Sequence, residues 1–181
     1  MSTKLDLIDT FVRKFTVIYS SSFTSTDGSA TIYRIVRESD GAQGGFVQSS
    51  ANLSNKGTCW IDSNAEVYDS ALVTDAAVVT DNARVHGNAL IAGNALVNTF
   101  SEIYGNAIVT AEAVVICSPG SFIKDNAKIY GSAVLSGAPA IYGNAEIYGT
   151  ADVVSTVCAG DCKINEGVPG AQYLTGDFTR D

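Results

Sequence analysis

Residues 82–95 carry more than two copies of one six-residue pattern: Asn-Ala-Arg-Val-His-Gly-Asn-Ala-Leu-Ile-Ala-Gly-Asn-Ala. Each copy has a small residue, an aliphatic residue two positions later, and then a turn-forming pair such as Gly-Asn. The pattern occurs sixteen times between residues 59 and 153, with one slip of two residues after residue 113. The small positions are Cys59, Ala65, Ala71, Ala77, Ala83, Ala89, Ala95, Ser101, Ala107, Ala113, Ser121, Ala127, Ala133, Pro139, Ala145 and Ala151. A short period repeated this often is typical of a solenoid, in which each unit buries its apolar side against its neighbours.

Within each unit, inward and outward positions alternate with a period of two, which predicts a strand of about four residues. Val and Ile fill most of the aliphatic positions, as a pleated surface favours. The Gly-Asn, Asp-Asn and Gly-Ser pairs tolerate positive φ and turn the chain sharply. The repeat therefore predicts short strands wrapped around a prism, with the small and aliphatic residues pointing inward.

This repeat resembles that of the hexapeptide-repeat family, whose fold is a left-handed parallel β-helix with three strands to a coil. The resemblance implies an all-β solenoid in which residues 18 positions apart stack on the same side, and the sixteen units would form about five coils. The left hand comes from the resemblance, because ordinary parallel crossovers are right-handed. Since one fold serves many functions, the resemblance predicts the fold far more strongly than the activity.

The repeat divides the chain into a cap over residues 1–58, the β-helix over residues 59–156 and a closing segment over residues 157–181. An apolar helical face in the cap predicts a short helix over Thr3–Lys14. Alternating residues on both sides of a turn at 25–29 predict a β-hairpin after it. We expect such a cap because an open first coil would expose backbone and apolar surface.

A second resemblance is carried by four stretches in and next to the cap: Tyr33–Ile35, Gly44–Val47, Asn52–Ser54 and Gly57–Ile61. They are similar to the cap of hexapeptide-repeat proteins from enteric bacteria, prophages and phages. This resemblance implies a phage or prophage origin.

The composition limits the partners. The formal net charge is −8 and only 17% of the residues are charged. Because nucleic-acid polymers and anionic membranes are bound through basic patches, we expect neither partner. No apolar run of about 20 residues predicts a transmembrane helix, and residues 1–6 lack the start of a secretory signal. These patterns favour a cytoplasmic protein, which would lie in the host cytoplasm if a phage encodes it.

The four cysteines do not predict a metal site. Cys59 falls on an inward small position, where a thiol behaves as a small apolar group, and Cys117 lies at the slip. Cys158 and Cys162 have neither a second cysteine pair nor a neighbouring His to complete a zinc site. We therefore expect structural roles for the cysteines and no bound metal.

Two sides of the predicted prism present aliphatic residues outward over several coils. The first carries Trp60, Val78, Leu96 and Val114, and the second carries Leu72, Leu90 and Ile108. An apolar patch of this size on a monomer usually marks an interface. Together with the family resemblance, it predicts a homotrimer with parallel prism axes, because closed symmetry would cover both sides.

The third side is polar and aromatic, and it carries the only His of the chain. The candidate ligand residues on or beside it are Tyr68, Arg84, His86, Phe100, Glu102, Tyr104, Phe122 and Lys124. At the corner entering this side, Thr99-Phe100 replaces the usual turn pair and residues 117–120 contain the slip. Two interpretations stay open: a solvated face whose aromatic residues support the sheet, or a ligand site.

Two classes of function compete for this side. A non-catalytic protein could bind a small ligand, such as a nucleotide that signals in the host, in clefts between subunits, with rings stacking and Arg84 and Lys124 meeting phosphate. An acyltransferase, as the family resemblance implies, would use an acyl-CoA such as acetyl-CoA as its only cofactor and His86 as general base. The chain lacks the protruding loop and the Ile-Gly or Val-Gly steps common in those enzymes. We therefore favour binding without a cofactor, and a purely structural or virion role is the remaining alternative.

Overall fold

The computed structural model describes residues 13–167, 172–176 and 179–180. The helix predicted over Thr3–Lys14 falls almost entirely outside them. The described residues form strands and turns, with one 3₁₀ turn at Ser50–Asn52. The predicted all-β solenoid is confirmed.

The strands are short and follow one another at regular intervals. In chain order they are β1 (Phe15–Thr24), β2 (Thr31–Arg37), β3 (Gln43–Val47), β4 (Trp60–Ile61), β5 (Glu66–Val67), β6 (Leu72–Val73), β7 (Val78–Val79), β8 (Arg84–Val85), β9 (Leu90–Ile91), β10 (Leu96–Thr99), β11 (Glu102–Ile103), β12 (Ile108–Val109), β13 (Val114–Cys117), β14 (Phe122–Ile123), β15 (Lys128–Ile129), β16 (Val134–Gly137), β17 (Ala140–Ile141), β18 (Glu146–Ile147), β19 (Asp152–Val154), β20 (Val157–Ala159), β21 (Lys163–Ile164), β22 (Tyr173–Thr175) and β23 (Thr179–Arg180).

These strands stack into three sheets that form the sides of the prism. Sheet 1 has the order β1-β2-β3-β5-β8-β11-β14-β17-β20-β22, sheet 2 is β6-β9-β12-β15-β18-β21-β23, and sheet 3 is β4-β7-β10-β13-β16-β19. From β3 onward every pairing within these sheets is parallel. The solenoid has about seven turns rather than the five expected, because stacking begins within the predicted cap and continues beyond residue 156.

The inward positions form one continuous core. Val67, Val85 and Ile103 lie opposite one another in sheet 1 and have no exposed surface. The small positions, such as Ala83 and Ala89, are equally buried. Each buried Val or Ile contributes about 1.5–3 kcal/mol against the loss of chain entropy.

The corners show why turn residues recur. Asp69 has φ +56° and Gly87, one coil further on, has φ +67°. The Gly87 N–H donates to Asp69 Oδ2 at 3.1 Å. A Cβ on Gly87 would lie 2.9 Å from the backbone nitrogen of Gly105, so the close approach of successive corners favours glycine there.

At the corner between sheets 1 and 2, side-chain amides hydrogen-bond from coil to coil. Asn88 Nδ2 donates to Asn106 Oδ1 at 3.0 Å, and Asn106 donates to Asn126 at 3.1 Å. Asn126 donates to Asn144 at 3.1 Å, and Asn144 donates to Asp161 at 2.9 Å. We call these five residues the amide ladder.

The sequence predicted that the repeat ends at residue 156, but in the structure it continues beyond that residue. Thr156 and Cys158 are fully buried in the small and aliphatic positions, after a deletion of one residue. Cys162 and Ile164 follow in the next unit, also buried. A disulfide joins Cys158 to Cys162, whose Cα atoms are 5.9 Å apart. The closing segment thus continues the solenoid.

The predicted hairpin closes the first coil. β1 and β2 pair in antiparallel fashion, and Phe15, Val17 and Ile35 join the core of the prism. The Arg37 guanidinium lies 4.5 Å from the centre of the Trp60 ring, and Trp60 is only 8% exposed. Trp60 is therefore covered largely by its own chain, whereas Val78, Leu96 and Val114 on the outer surface of sheet 3 are only half-buried.

Among the described residues, no helix is both long and apolar enough to cross a membrane.

Candidate functional site

Sheet 1 stacks three rings in a column, as the 18-residue spacing predicts. The His86 ring lies 4.9 Å from the Tyr68 ring and 5.0 Å from the Tyr104 ring, measured between centres. The planes are within 3° and 6° of parallel. Both faces of the imidazole are therefore covered by tyrosines.

Carboxylates lie at the edges of the same imidazole. His86 Nε2 is 3.4 Å from Glu102 Oε1, and His86 Nδ1 is 4.0 Å from Asp69 Oδ2. Glu102 also pairs with Arg84, with 3.0 Å between Nη2 and Oε2. Each ring nitrogen of His86 therefore faces a carboxylate of the same chain.

The hairpin turn of the cap covers one end of this side. The Tyr68 hydroxyl donates to Asp27 Oδ2 at 3.0 Å, and Glu66 accepts from the Thr26 N–H at 2.9 Å and from its hydroxyl at 2.6 Å. Tyr68 has no exposed surface, although the sequence analysis named it as a ligand residue. A ligand therefore cannot touch the Tyr68 ring, which instead stacks on one face of the His86 imidazole.

The contact between turn and sheet shifts two pKa values in opposite directions. Burial, the hydrogen bond to Asp27 and the nearby Asp27 charge all raise the pKa of Tyr68. Burial would raise the pKa of Asp27 as well, but hydrogen bonds from Ser25, Ser29 and Tyr68 together hold it well below its ordinary value. The turn is therefore stabilised by an ionised Asp27 and a neutral Tyr68.

Asp27→Asn should destabilise the cap at neutral pH and have a smaller effect in acid. Because the folded pKa of Asp27 is depressed, its stabilisation is complete above the ordinary carboxyl pKa and declines as the pH falls below about 4. We expect a loss of roughly 1 kcal/mol at pH 7. Melting curves of both proteins from pH 7 to pH 2 would measure it. Asp152→Asn, at an exposed position of β19 at the far end of sheet 3, is the control. A difference between wild type and Asp27→Asn that stays constant with pH would contradict the assignment.

A groove lies beside the ring column. It has a volume of about 250 Å³ and is lined by Thr26, Asn82, Arg84, Phe100, Glu102, Pro119, Gly120 and Ser121. Three of the eight predicted ligand residues line it, namely Arg84, Phe100 and Glu102. Thr26 was not predicted, because only the folded cap brings the hairpin turn over sheet 1, and Asn82 was not predicted because it belongs to an ordinary turn pair of the repeat.

The wall of the groove is the irregular corner that the sequence pointed to. Thr99 has φ +61°, a left-handed conformation that is rare for a β-branched residue. Its buried hydroxyl oxygen has no hydrogen-bond partner among the described residues. Phe100, next in the chain, is 48% exposed. Strained backbone and unsatisfied polar atoms concentrate at functional sites, which favours a ligand site at this corner.

Two further predicted ligand residues, Phe122 and Lys124, lie on sheet 1 next to the groove, on the side towards β17. Lys124 Nζ lies 5.6 Å from the centre of the Phe122 ring and 5.5 Å from that of Tyr142. The Phe122 and Tyr142 rings are 6.1 Å apart and tilted. Ser121 lines the groove and Phe122 follows it directly, so this aromatic pair lies next to the groove.

A second, larger cavity of about 610 Å³ lies at the cap end, and sequence reasoning did not predict it. Its lining includes Arg13, Lys14, Arg37 and Trp60. Lys14 Nζ donates to the Cys59 carbonyl at 2.9 Å, so this lysine closes the end of the prism. In the described part of the chain, no three His, Cys, Asp or Glu side chains are grouped as a metal would require.

No protein-family model matches the sequence, and no curated protein matches it.

Proposed function

We propose that the protein is a non-catalytic binding protein whose small-molecule ligand occupies the groove beside Arg84 and Phe100. In this proposal the chain forms a homotrimer, and a neighbouring subunit extends each groove into a cleft. The resemblance of the cap supports a phage or prophage origin and a role in the host cytoplasm, where binding would sequester a small signalling molecule.

The observation that carries the proposal is the combination of Phe100 and the Arg84–Glu102 pair around one groove. Phe100 leaves half of a large apolar side chain in water, and such a ring can stack on a planar ligand for about 1–3 kcal/mol. Arg84 and Glu102 remain partly exposed, with 26% and 27% of their side chains accessible. The groove thus offers a stacking surface, hydrogen-bond donors and hydrogen-bond acceptors together.

The surroundings of His86 favour binding over acyl transfer. A general base must reach the proton of an acceptor hydroxyl or amine. Both faces of His86 are stacked and its nitrogens lie 3.4 and 4.0 Å from carboxylate oxygens, so an acceptor could approach the imidazole only at the edge of a side chain that is 17% accessible.

Calorimetry and thermal-shift measurements with nucleotides, cyclic nucleotides and CoA would test the proposal. We expect at least one compound to bind, and Arg84→Gln and Phe100→Ala each to weaken it about tenfold or more, through lost hydrogen bonds and stacking. Lys128→Gln, on sheet 2, should leave the affinity unchanged and serves as the matched control.

The same experiment addresses catalysis. Wild-type protein incubated with acetyl-CoA and acceptor amines or alcohols should release no free CoA. Transfer that His86→Ala abolishes would replace the proposal with an acyltransferase. If none of the compounds binds and no transfer occurs, this side of the prism is a solvated face.

A further inference from the structure

The floor of the groove presents a donor and an acceptor side by side. Arg84 Nη2 and Glu102 Oε2 are 3.0 Å apart, and the two residues are in register on neighbouring strands. A guanidinium has five N–H donors, so pairing with one carboxylate leaves donors for a ligand. Because Glu102 balances its charge, Arg84 offers little net attraction to an anion. This floor suits the edge of a heterocycle that carries an acceptor beside a donor.

Lys124 lies two strands further along sheet 1 in a different electrostatic setting. None of the described ion pairs involves Lys124. The nearest carboxylate in sequence, Asp125, accepts the Gly143 N–H at 3.1 Å. The Lys124 ammonium lies near the Phe122 and Tyr142 rings, which attract a cation without neutralising it. An anionic group of a ligand would therefore be drawn to Lys124.

The two positions are separated by a distance that one small molecule can span. Arg84 is on β8, and Lys124 follows β14, with β11 between them. Two strand spacings of about 4.8 Å, together with an offset of two residues or about 6.6 Å along the strand, place the two backbone positions roughly 12 Å apart. A mononucleotide, with its base at one end and its phosphate at the other, is of this length.

We infer that the ligand is bipartite, with a planar heterocycle on Arg84, Glu102 and Phe100 and an anionic group at Lys124. This inference rests on the proposed function and makes it more specific. It divides the binding energy between recognition of the heterocycle in the groove and attraction of the anion outside it. A nucleoside monophosphate is the simplest molecule of this class.

The test compares each of the four common ribonucleosides with its 5′-monophosphate by calorimetry. In wild-type protein at least one monophosphate should bind about tenfold more tightly than its nucleoside, and added salt should reduce that advantage. Lys124→Gln should abolish the advantage and its salt dependence while leaving nucleoside affinity unchanged. Arg84→Gln should weaken nucleoside and monophosphate equally, and Lys128→Gln should change neither.

The outcomes separate this inference from the proposed function. Equal binding of nucleoside and monophosphate by wild type would overturn the anion site and leave the groove as a binding site. An advantage lost in Arg84→Gln but kept in Lys124→Gln would place the anion at Arg84, which also overturns the inference. If no nucleoside or monophosphate binds while another compound binds through Arg84 and Phe100, the ligand class is wrong and the proposed function stands.

Discussion

Val85→Asp should prevent the protein from folding. The Val85 side chain has no exposed surface and lies between Val67 and Ile103 in the stack of sheet 1. A carboxylate there would have no cation and no water to solvate it, which costs about 4 kcal/mol or more in addition to the lost burial of Val. That loss is comparable to the whole stability of an ordinary domain. Circular dichroism and a thermal melt of the purified variant would measure the effect.

Ser20→Asp is the control, because Ser20 is an exposed residue of β1 on sheet 1, outside the two sides predicted to be covered in the trimer. It should melt close to wild type. A cooperative melt of Val85→Asp at the wild-type temperature would show that residue 85 does not point into the core.

Leu96→Glu should convert the proposed trimer into monomers or cause precipitation. Leu96 lies in register between Val78 and Val114 on the outer surface of sheet 3, and all three side chains are half-buried in the single chain. Ile116, two residues after Val114 on β13, is 41% exposed. If this apolar stripe is covered by a second copy, a carboxylate at its centre would be desolvated without a partner.

Sedimentation at micromolar concentration would report the masses of both proteins. Ser20→Glu, at an exposed position of β1 on sheet 1, provides a control for added negative charge outside the two sides proposed to be covered in the trimer. A monomeric wild-type protein would contradict the trimer and the extension of the groove by a neighbouring subunit. Binding in the groove of a single chain would be unaffected by that result.

The solenoid could be predicted because its rule is local. Within six residues, a small residue and an aliphatic residue two positions later indicate where the strand lies, which side chains point inward and where the chain turns. Neighbouring coils repeat the same pattern. The same pattern is harder to recognise after residue 154, because Thr156 is polar and Cys158 is not aliphatic. Thr156-x-Cys158 and Cys162-x-Ile164 follow the same pattern, displaced by one residue, and all four side chains are buried.

The site could be predicted only in part, because it depends on contacts between distant segments. The 18-residue spacing placed Tyr68, His86 and Tyr104 in one column, as the structure shows. It could not show that the turn containing Asp27 folds back over Tyr68. That contact arises from tertiary docking of the cap, 41 residues away in sequence, and nothing in the local pattern of either segment specifies it.

The amide ladder stays continuous although the coils that it joins differ in length. Its steps span 18, 20, 18 and 17 residues, yet every hydrogen bond of the ladder is kept. The extra two residues enter at 117–120 and the missing one is lost near Ser155, both at the corner between sheets 3 and 1. One corner therefore keeps the coils aligned, while another absorbs insertions and deletions. Since the absorbing corner forms the wall of the groove, evolution could reshape the pocket one loop residue at a time without rebuilding the prism.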